Sequence, residues 1–193
     1  VQGTMVSAQY VWEGEELPLD IKELVRGTDI PVVVGGCVNY HTAMHLMRTG
    51  AAGIVVGYGA TEGITTTGEV LGINVAMATA IADAAAARRD YMEESGGRYV
   101  HVIANGDLNS SGDIAKAIAC GADAVMAGPL LAQAQEAAGK GVYWPIVAGH
   151  PANPRGAVVP VMTEYEADDE DYDGPTLEVI LHGPSSEPFG TCD

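Results

Sequence analysis

The chain repeats itself. Three glycine pairs, Gly35 with Gly106, Gly50 with Gly121 and Gly57 with Gly128, stand 71 positions apart without a gap. Each copy runs in the same order. "DIPVVVGG" and "RYVHVIANG" are β-branched runs of the kind buried on both faces, and each is followed by a stretch of helical spacing that ends in glycine. A second short apolar run then follows, "AAGIVVGYG" in one copy and "ADAVMAG" in the other. This is a strand–helix–strand unit present twice, and alternating strands and helices require a parallel α/β sheet.

Between the copies, "MATAIADAAAARRDYMEESGG" (Met77 to Gly97) predicts a long alanine-rich helix with a glycine stop. Strands are expected near residues 1–4, 30–36, 53–58, 99–105 and 123–128. These are too few to close an eight-stranded barrel, which usually takes about 250 residues. The chain also opens inside a strand-like segment with no initiating methionine. Two folds therefore stay open at this point: a doubly wound open sheet, or the C-terminal half of a (β/α)8 barrel. Beyond about Pro145 the pattern gives way to a Pro/Gly-rich, acidic stretch, with one expected strand at "TLEVIL" (Thr176 to Leu181).

Charge limits the partners. A formal net charge of −17 over 193 residues excludes a nucleic-acid-binding surface, which needs clustered Lys and Arg. Seven acids fall in one run, Glu164 to Asp173, read as a solvated loop. No apolar run reaches the ~18 residues of a membrane span, and no secretory leader pattern stands near Val1, so the expected location is the cytoplasm. Cys37, Cys120 and Cys192 form neither a CxxC pair nor an even disulfide framework, which suits a reducing compartment.

Several groups are candidates for chemistry. "NSSGD" places Ser110 or Ser111 at a helix cap with free backbone N–H groups, while Gly106 and Gly128 permit close backbone approach. The long Gly- and Thr-rich loop from Gly57 to Val70 exceeds an ordinary βα connection, and length of that kind points to a functional loop whose hydroxyls and carbonyls suit a ligand or an ion. His41 and His45 have metal-ligand spacing, but no third ligand accompanies them, and no metal is expected. Cys37 follows a strand, where a nucleophile would lie, with no acid/base partner attached to it by sequence.

"VHVIANGDLNSSGDIAKAIACGADAVMAGPLLA" resembles the strand-seven to strand-eight signature of the IMP dehydrogenase/GMP reductase family, and "GYGATEGITTTGEVLGINV" lies where that family has its catalytic loop. "HLMRTGAAGIVVG" and "IADAAAARRDYMEESGGRYVHVIA" are more similar still to the IMP dehydrogenase-related paralogue of actinobacteria. The resemblance is collinear from Val1 to about Pro160 and resumes at Gly183 to Gly190. It implies a (β/α)8 barrel seen from about strand four onward, with residues 1–145 as its C-terminal half and 146–193 as an irregular tail. Alternate strand residues, Val32, Val34, Val55 or Val56, and Val102, are then expected to face an incomplete barrel interior.

The resemblance implies NAD-linked oxidation of IMP to XMP, with GMP reduction as the neighbouring activity in the same cradle. It also implies a monovalent cation and a homotetramer. The family attacks the purine ring with a loop cysteine; here Ile64, Thr65 and Thr66 fall at that position, within a loop that includes Gly57 and Gly59. The nucleotide cradle maps onto Asn105, Gly106, Asp107, Ser111, Gly128 and Pro129, and base contacts map onto Arg155 and Gly156 of "NPRGAVV". Asn105 stands in place of the family's ribose-binding aspartate, Asp107 in place of a glycine whose N–H meets phosphate, and Pro129 in place of a serine. A threonine hydroxyl is a far weaker nucleophile than a thiolate, so a non-catalytic, nucleotide-binding or regulatory paralogue is the alternative.

Overall fold

The computed structural model describes residues 20–57, 75–106, 108–143, 159–160 and 172–182. The expected strand at 1–4 lies outside them. The chain divides into two units, Val1–Asp107 with Lys116–Met126, and Leu108–Ala115 with Ala127–Asp193.

In the first unit a short helix, α1 (Ile21–Arg26), is capped by the Asp20 carboxylate, which accepts from the Lys22 and Glu23 N–H groups at 2.8 and 3.1 Å. Then come β1 (Val33–Cys37), α2 (Tyr40–Arg48), β2 (Gly53–Val56), α3 (Met77–Glu94), β3 (His101–Ala104), α4 (Ser111–Ala119), whose residues up to Ala115 belong to the second unit, and β4 (Ala124–Val125). The repeat read in the glycines is therefore a structural repeat: α2 and α4 are both nine residues long, and their bounds differ by the same 71 positions. The turns after them use the paired glycines alike, Gly50 at φ 96° and Gly121 at φ 112°. L side chains avoid that backbone region.

The four strands are parallel, in the order β1-β2-β3-β4. A doubly wound sheet reverses its strand order at a switch point. The described strands progress in one direction only, as they do around a barrel.

Burial separates the two faces of this sheet. Val34, Ile54, Val56, Val102 and Ala104 are fully buried, on the face against which α2 and α3 pack. Their alternates Val33, Val55 and Ile103 are only partly buried. The expected inward set is thereby corrected: Val34, Val56 and Val102 turn to the helices, and Val33, Val55 and Ile103 hold the opposite face. Each fully buried aliphatic side chain contributes about 1.5–3 kcal/mol.

α3 ends at Glu94 and is followed by Gly96 and Gly97, both at positive φ. It buries Ala80, Ile81, Ala84, Ala85, Ala87 and Tyr91. Small residues on that stripe permit a close approach: a Cβ built on Gly121 would lie 2.6 Å from the Ala85 Cβ. β1 and β2 are also tight, because a Cβ on Gly35 would meet the Val55 Cβ at 2.5 Å and its carbonyl oxygen at 2.7 Å.

The second unit holds α5 (Pro129–Ala132), the antiparallel pair β5 (Val142–Tyr143) and β6 (Val159–Pro160), and α6 (Leu177–His182). Its core is Leu130, Ala134 and Ile180, with Ile114 and Ala137 packed against them. The strand expected at Thr176–Leu181 is instead the helix α6. The Thr176 carbonyl and hydroxyl accept from Ile180 and Val179 N–H at 3.1 and 3.3 Å, and the Glu136 carboxylate accepts from Leu177 N–H at 2.9 Å. These acceptors satisfy the first N–H groups of a helix, and they outweigh the β-branched composition of the segment.

Among the described residues no helix is long and apolar enough to cross a membrane.

Candidate functional site

In parallel α/β sheets ligands gather at the carboxyl ends of the strands. In the first unit those ends are Cys37, Gly57 and Asn105. The main chain links them directly: Gly57 N–H donates to the Cys37 carbonyl at 2.8 Å, and Asn105 N–H to the Val56 carbonyl at 2.7 Å. Gly57 has φ 96°, and a Cβ placed there would run into the Asn105 carbonyl oxygen and stand 3.0 Å from the Met77 methyl carbon. Only glycine lets β2 end so close to β3.

Asn105 is the buried polar side chain of the described residues, 8% exposed. Its amide makes no hydrogen bond to a described residue, yet no fully enclosed side-chain N or O lacks a partner. The amide carries a donor and an acceptor at the strand end. A buried amide left unpaired costs about 1–3 kcal/mol. A ligand with neighbouring hydroxyl groups would satisfy both atoms. Gly106, next in the chain, is buried.

Cys37 is not poised for attack. Its side chain is fully buried, its thiol lies 3.5 Å from the Val55 carbonyl, and burial pushes its pKa up to about 12. A thiol of that kind is protonated at neutral pH and inert as a nucleophile.

His41 and His45 both lie on α2, His41 exposed with its ring edge-on to Tyr40 at 5.5 Å between centroids. Among the described residues no group of three His, Cys, Asp or Glu side chains is gathered as a metal site.

The second unit contains Ser111, Gly128 and Pro129. Of the two serines, Ser110 is the cap. Its hydroxyl accepts from Asp113 N–H at 3.2 Å and donates to the Asp113 carboxylate at 2.9 Å, while that carboxylate accepts from Asn109 N–H at 3.2 Å. Ser111 is the first residue of α4, half-buried. This is a capping box, and the Ser-x-x-Asp spacing that signals it stands in the sequence. Its consequence is electrostatic: the positive end of α4 already faces a carboxylate of its own chain.

Gly128 breaks the repeat. Its counterpart Gly57 has positive φ, whereas Gly128 sits at φ −115° and ψ −80°, with Pro129 opening α5 behind it. A Cβ at residue 128 would meet the Tyr143 ring packed against it, a contact with no signature in the local sequence.

Gly59, Thr65, Thr66, Asp107, Arg155 and Gly156 lie outside the described residues.

Away from the strand ends, Asp123 gathers a polar cluster. It accepts from Arg88 at 2.5 Å, from the Tyr99 hydroxyl at 2.5 Å and from Val102 N–H at 2.8 Å, and the Arg88 guanidinium lies 4.9 Å from the Tyr99 ring centre. Burial would raise the Asp123 carboxyl, but the hydrogen bonds from Tyr99 and Val102 and the Arg88 charge together hold it below the usual carboxylate range. The same bond to Asp123 raises the Tyr99 phenol. The groups are mutually satisfied, so the cluster joins α3 to β3 and the turn before β4 rather than offering a site.

Residues 16–150 match the family described as the IMP dehydrogenase / GMP reductase domain. An uncharacterized oxidoreductase of Mycolicibacterium smegmatis is 56% identical over 193 residues, covering 100% of this chain and 49% of its own length. An inosine-5'-monophosphate dehydrogenase of Methanocaldococcus jannaschii is 43% identical over 119 residues, covering 62% of this chain and 22% of its own. Among solved structures, an IMP dehydrogenase/GMP reductase-like protein from Corynebacterium glutamicum superposes with a TM-score of 0.73 at 52% identity, covering 98% of this chain and 46% of that one. The chain thus spans about half the length of the curated oxidoreductases it matches.

Proposed function

Because the chain belongs to the IMP dehydrogenase/GMP reductase family, we propose that it forms part of a purine nucleotide oxidoreductase whose substrate is IMP. On this reading residues 1–145 supply the C-terminal half of a (β/α)8 barrel. The observation that carries the substrate class is Asn105, 8% exposed at the carboxyl end of β3, whose amide makes no hydrogen bond among the described residues. It offers a donor and an acceptor, which matches two adjacent hydroxyls of a ribose.

A nicotinamide cofactor, when bound, supplies hydride exchange at the purine. The chain's own part is to hold and orient the nucleotide: Asn105 at the sugar, with the Gly57 and Gly106 backbone allowing close approach. An uncharged amide gives up the charge-assisted gain of a carboxylate, so each bond to the sugar is worth about 0.5–1.5 kcal/mol rather than about 1.5–3.

A second reading has its own observation. No cysteine stands between Gly57 and Val70, and Cys37 is buried with its pKa pushed up to about 12. A nucleotide-binding paralogue that does not turn over substrate fits those two facts.

One assay separates the readings. The full chain is incubated with IMP and NAD, and separately with GMP and NADPH, while the reduced cofactor is followed by absorbance. NADH formation with IMP supports oxidation, and NADPH loss with GMP supports the reductase direction. Absence of both, with IMP binding retained, supports the non-catalytic paralogue.

A further inference from the structure

The amino end of α3 is held differently from those of α1, α2 and α4. Asp20, Asn39 and Ser110 cap those helices with a side-chain oxygen, whereas Ala76 stands at the cap of α3 and makes no such bond. A packing contact is found there instead. Met77, the first residue of α3, places its methyl carbon beside Gly57: a Cβ built on that glycine would stand 3.0 Å from the methyl and 3.0 Å from the Asn105 carbonyl carbon. The thioether arm thus packs where β2 and β3 end, next to the bonds from Gly57 N–H to the Cys37 carbonyl at 2.8 Å and from Asn105 N–H to the Val56 carbonyl at 2.7 Å.

A methionine in that place has two properties. Its unbranched chain fits an irregular gap such as the one a missing Cβ leaves. Its sulfur can also take one oxygen from hydrogen peroxide: the S–O bond forms as the O–O bond breaks, the sulfur is oxidised, and the peroxide is reduced to water. Met44 and Met47 are buried in the core, whereas Met77 is half-buried and open to that reagent. A sulfoxide is polar and cannot keep the contact on Gly57 without desolvating its oxygen.

We propose that Met77 is an oxidisable positioning residue: packed on Gly57, it holds the carboxyl end of β3 and with it Asn105, and conversion to the sulfoxide releases that end. The consequence for a ligand rests on the purine nucleotide reading given above; the consequence for the strand end does not.

The test treats the full chain and Met77→Leu, which keeps the bulk of the side chain without the sulfur, with hydrogen peroxide. Mass spectrometry follows oxidation of each methionine, NMR reads hydrogen exchange at the Gly57 and Asn105 amides, and calorimetry reads IMP binding. In the wild type the two amides should exchange roughly tenfold faster and IMP affinity should fall roughly tenfold. Methionine sulfoxide reductases should reverse both changes, and Met77→Leu should show neither. Equal changes in Met77→Leu, an oxidised Met77 with unchanged exchange or unchanged IMP affinity, or a Met77 left intact after the exposed Met126 has reacted overturns the proposal. If Met77→Leu does not fold, Met126→Leu replaces it: it should respond to peroxide as the wild type does, and loss of the response overturns the proposal. A wild-type chain that does not bind IMP removes the nucleotide reading, and the exchange of the two amides then decides the role of Met77 by itself.

Discussion

Asp123 accepts a 2.5 Å contact from the Arg88 guanidinium across 35 positions of sequence, and the same carboxylate receives the Tyr99 hydroxyl and the Val102 N–H. The pair is partly shielded, with the side chains 14% and 25% exposed. It therefore contributes more than the roughly 0–1 kcal/mol of a fully exposed ion pair. Asp123→Asn keeps the shape and removes the charge; it should lower stability by about 1–3 kcal/mol, read as a lower urea midpoint.

The pH dependence of that loss has a definite sign. The Asp123 carboxyl titrates lower in the folded chain than in the unfolded one, where its pKa is about 3.9. Its stabilisation is present above the unfolded value and disappears as pH falls through the folded value. The gap between wild type and Asp123→Asn should accordingly be constant from about pH 7 to pH 5 and shrink below about pH 4. A gap independent of pH would show that the charge of Asp123 contributes nothing.

Cys37, with its pKa near 12, should resist thiol reagents while folded. At pH 8 only about 1 in 10,000 such thiols is ionised. In a Cys120→Ser, Cys192→Ser background, labelling should be negligible in buffer and complete in denaturing urea. Rapid stoichiometric labelling of the native protein would overturn the placement of this thiol.

The cap of α4 gives a prediction in the form of a cycle. Ser110→Ala should cost about 1 kcal/mol. Asp113→Ala should cost a similar amount, and the double variant less than the sum, because the two side chains satisfy each other. Strict additivity in urea unfolding would mean that the capping box does not act as a unit.

Gly57 combines φ 96° with the Asn105 carbonyl in the space where a Cβ would go. Gly57→Ala should therefore destabilise by about 2 kcal/mol or more and disturb the Asn105 end of β3. A neutral effect on the thermal midpoint would contradict that geometry.

The helices of the repeat were legible because their limits are set locally, by a polar cap and a glycine: Asn39 accepts from Thr42 N–H at 2.9 Å, as Ser110 does from Asp113. Which face of the sheet meets the helices was not legible. "VVV" and "IVV" are apolar at both parities, so alternation cannot choose between Val33 and Val34 or between Val55 and Val56. α6 was misread because its deciding acceptor, Glu136, lies 41 positions away from Leu177. In the candidate site, Asn105 and the glycines could be found from their places after strands. Tyr143 could not, since its relation to Gly128 exists only once the turn at Lys140 and Gly141 is folded.

The central claim is that Asn105 marks a purine nucleotide site. Calorimetric titration of IMP into the full chain and into Asn105→Ala tests it most directly. Wild-type binding, with an affinity loss of roughly tenfold in Asn105→Ala for two neutral hydrogen bonds, is the predicted result. No binding by the wild-type chain, or equal affinity in the two proteins, would contradict it.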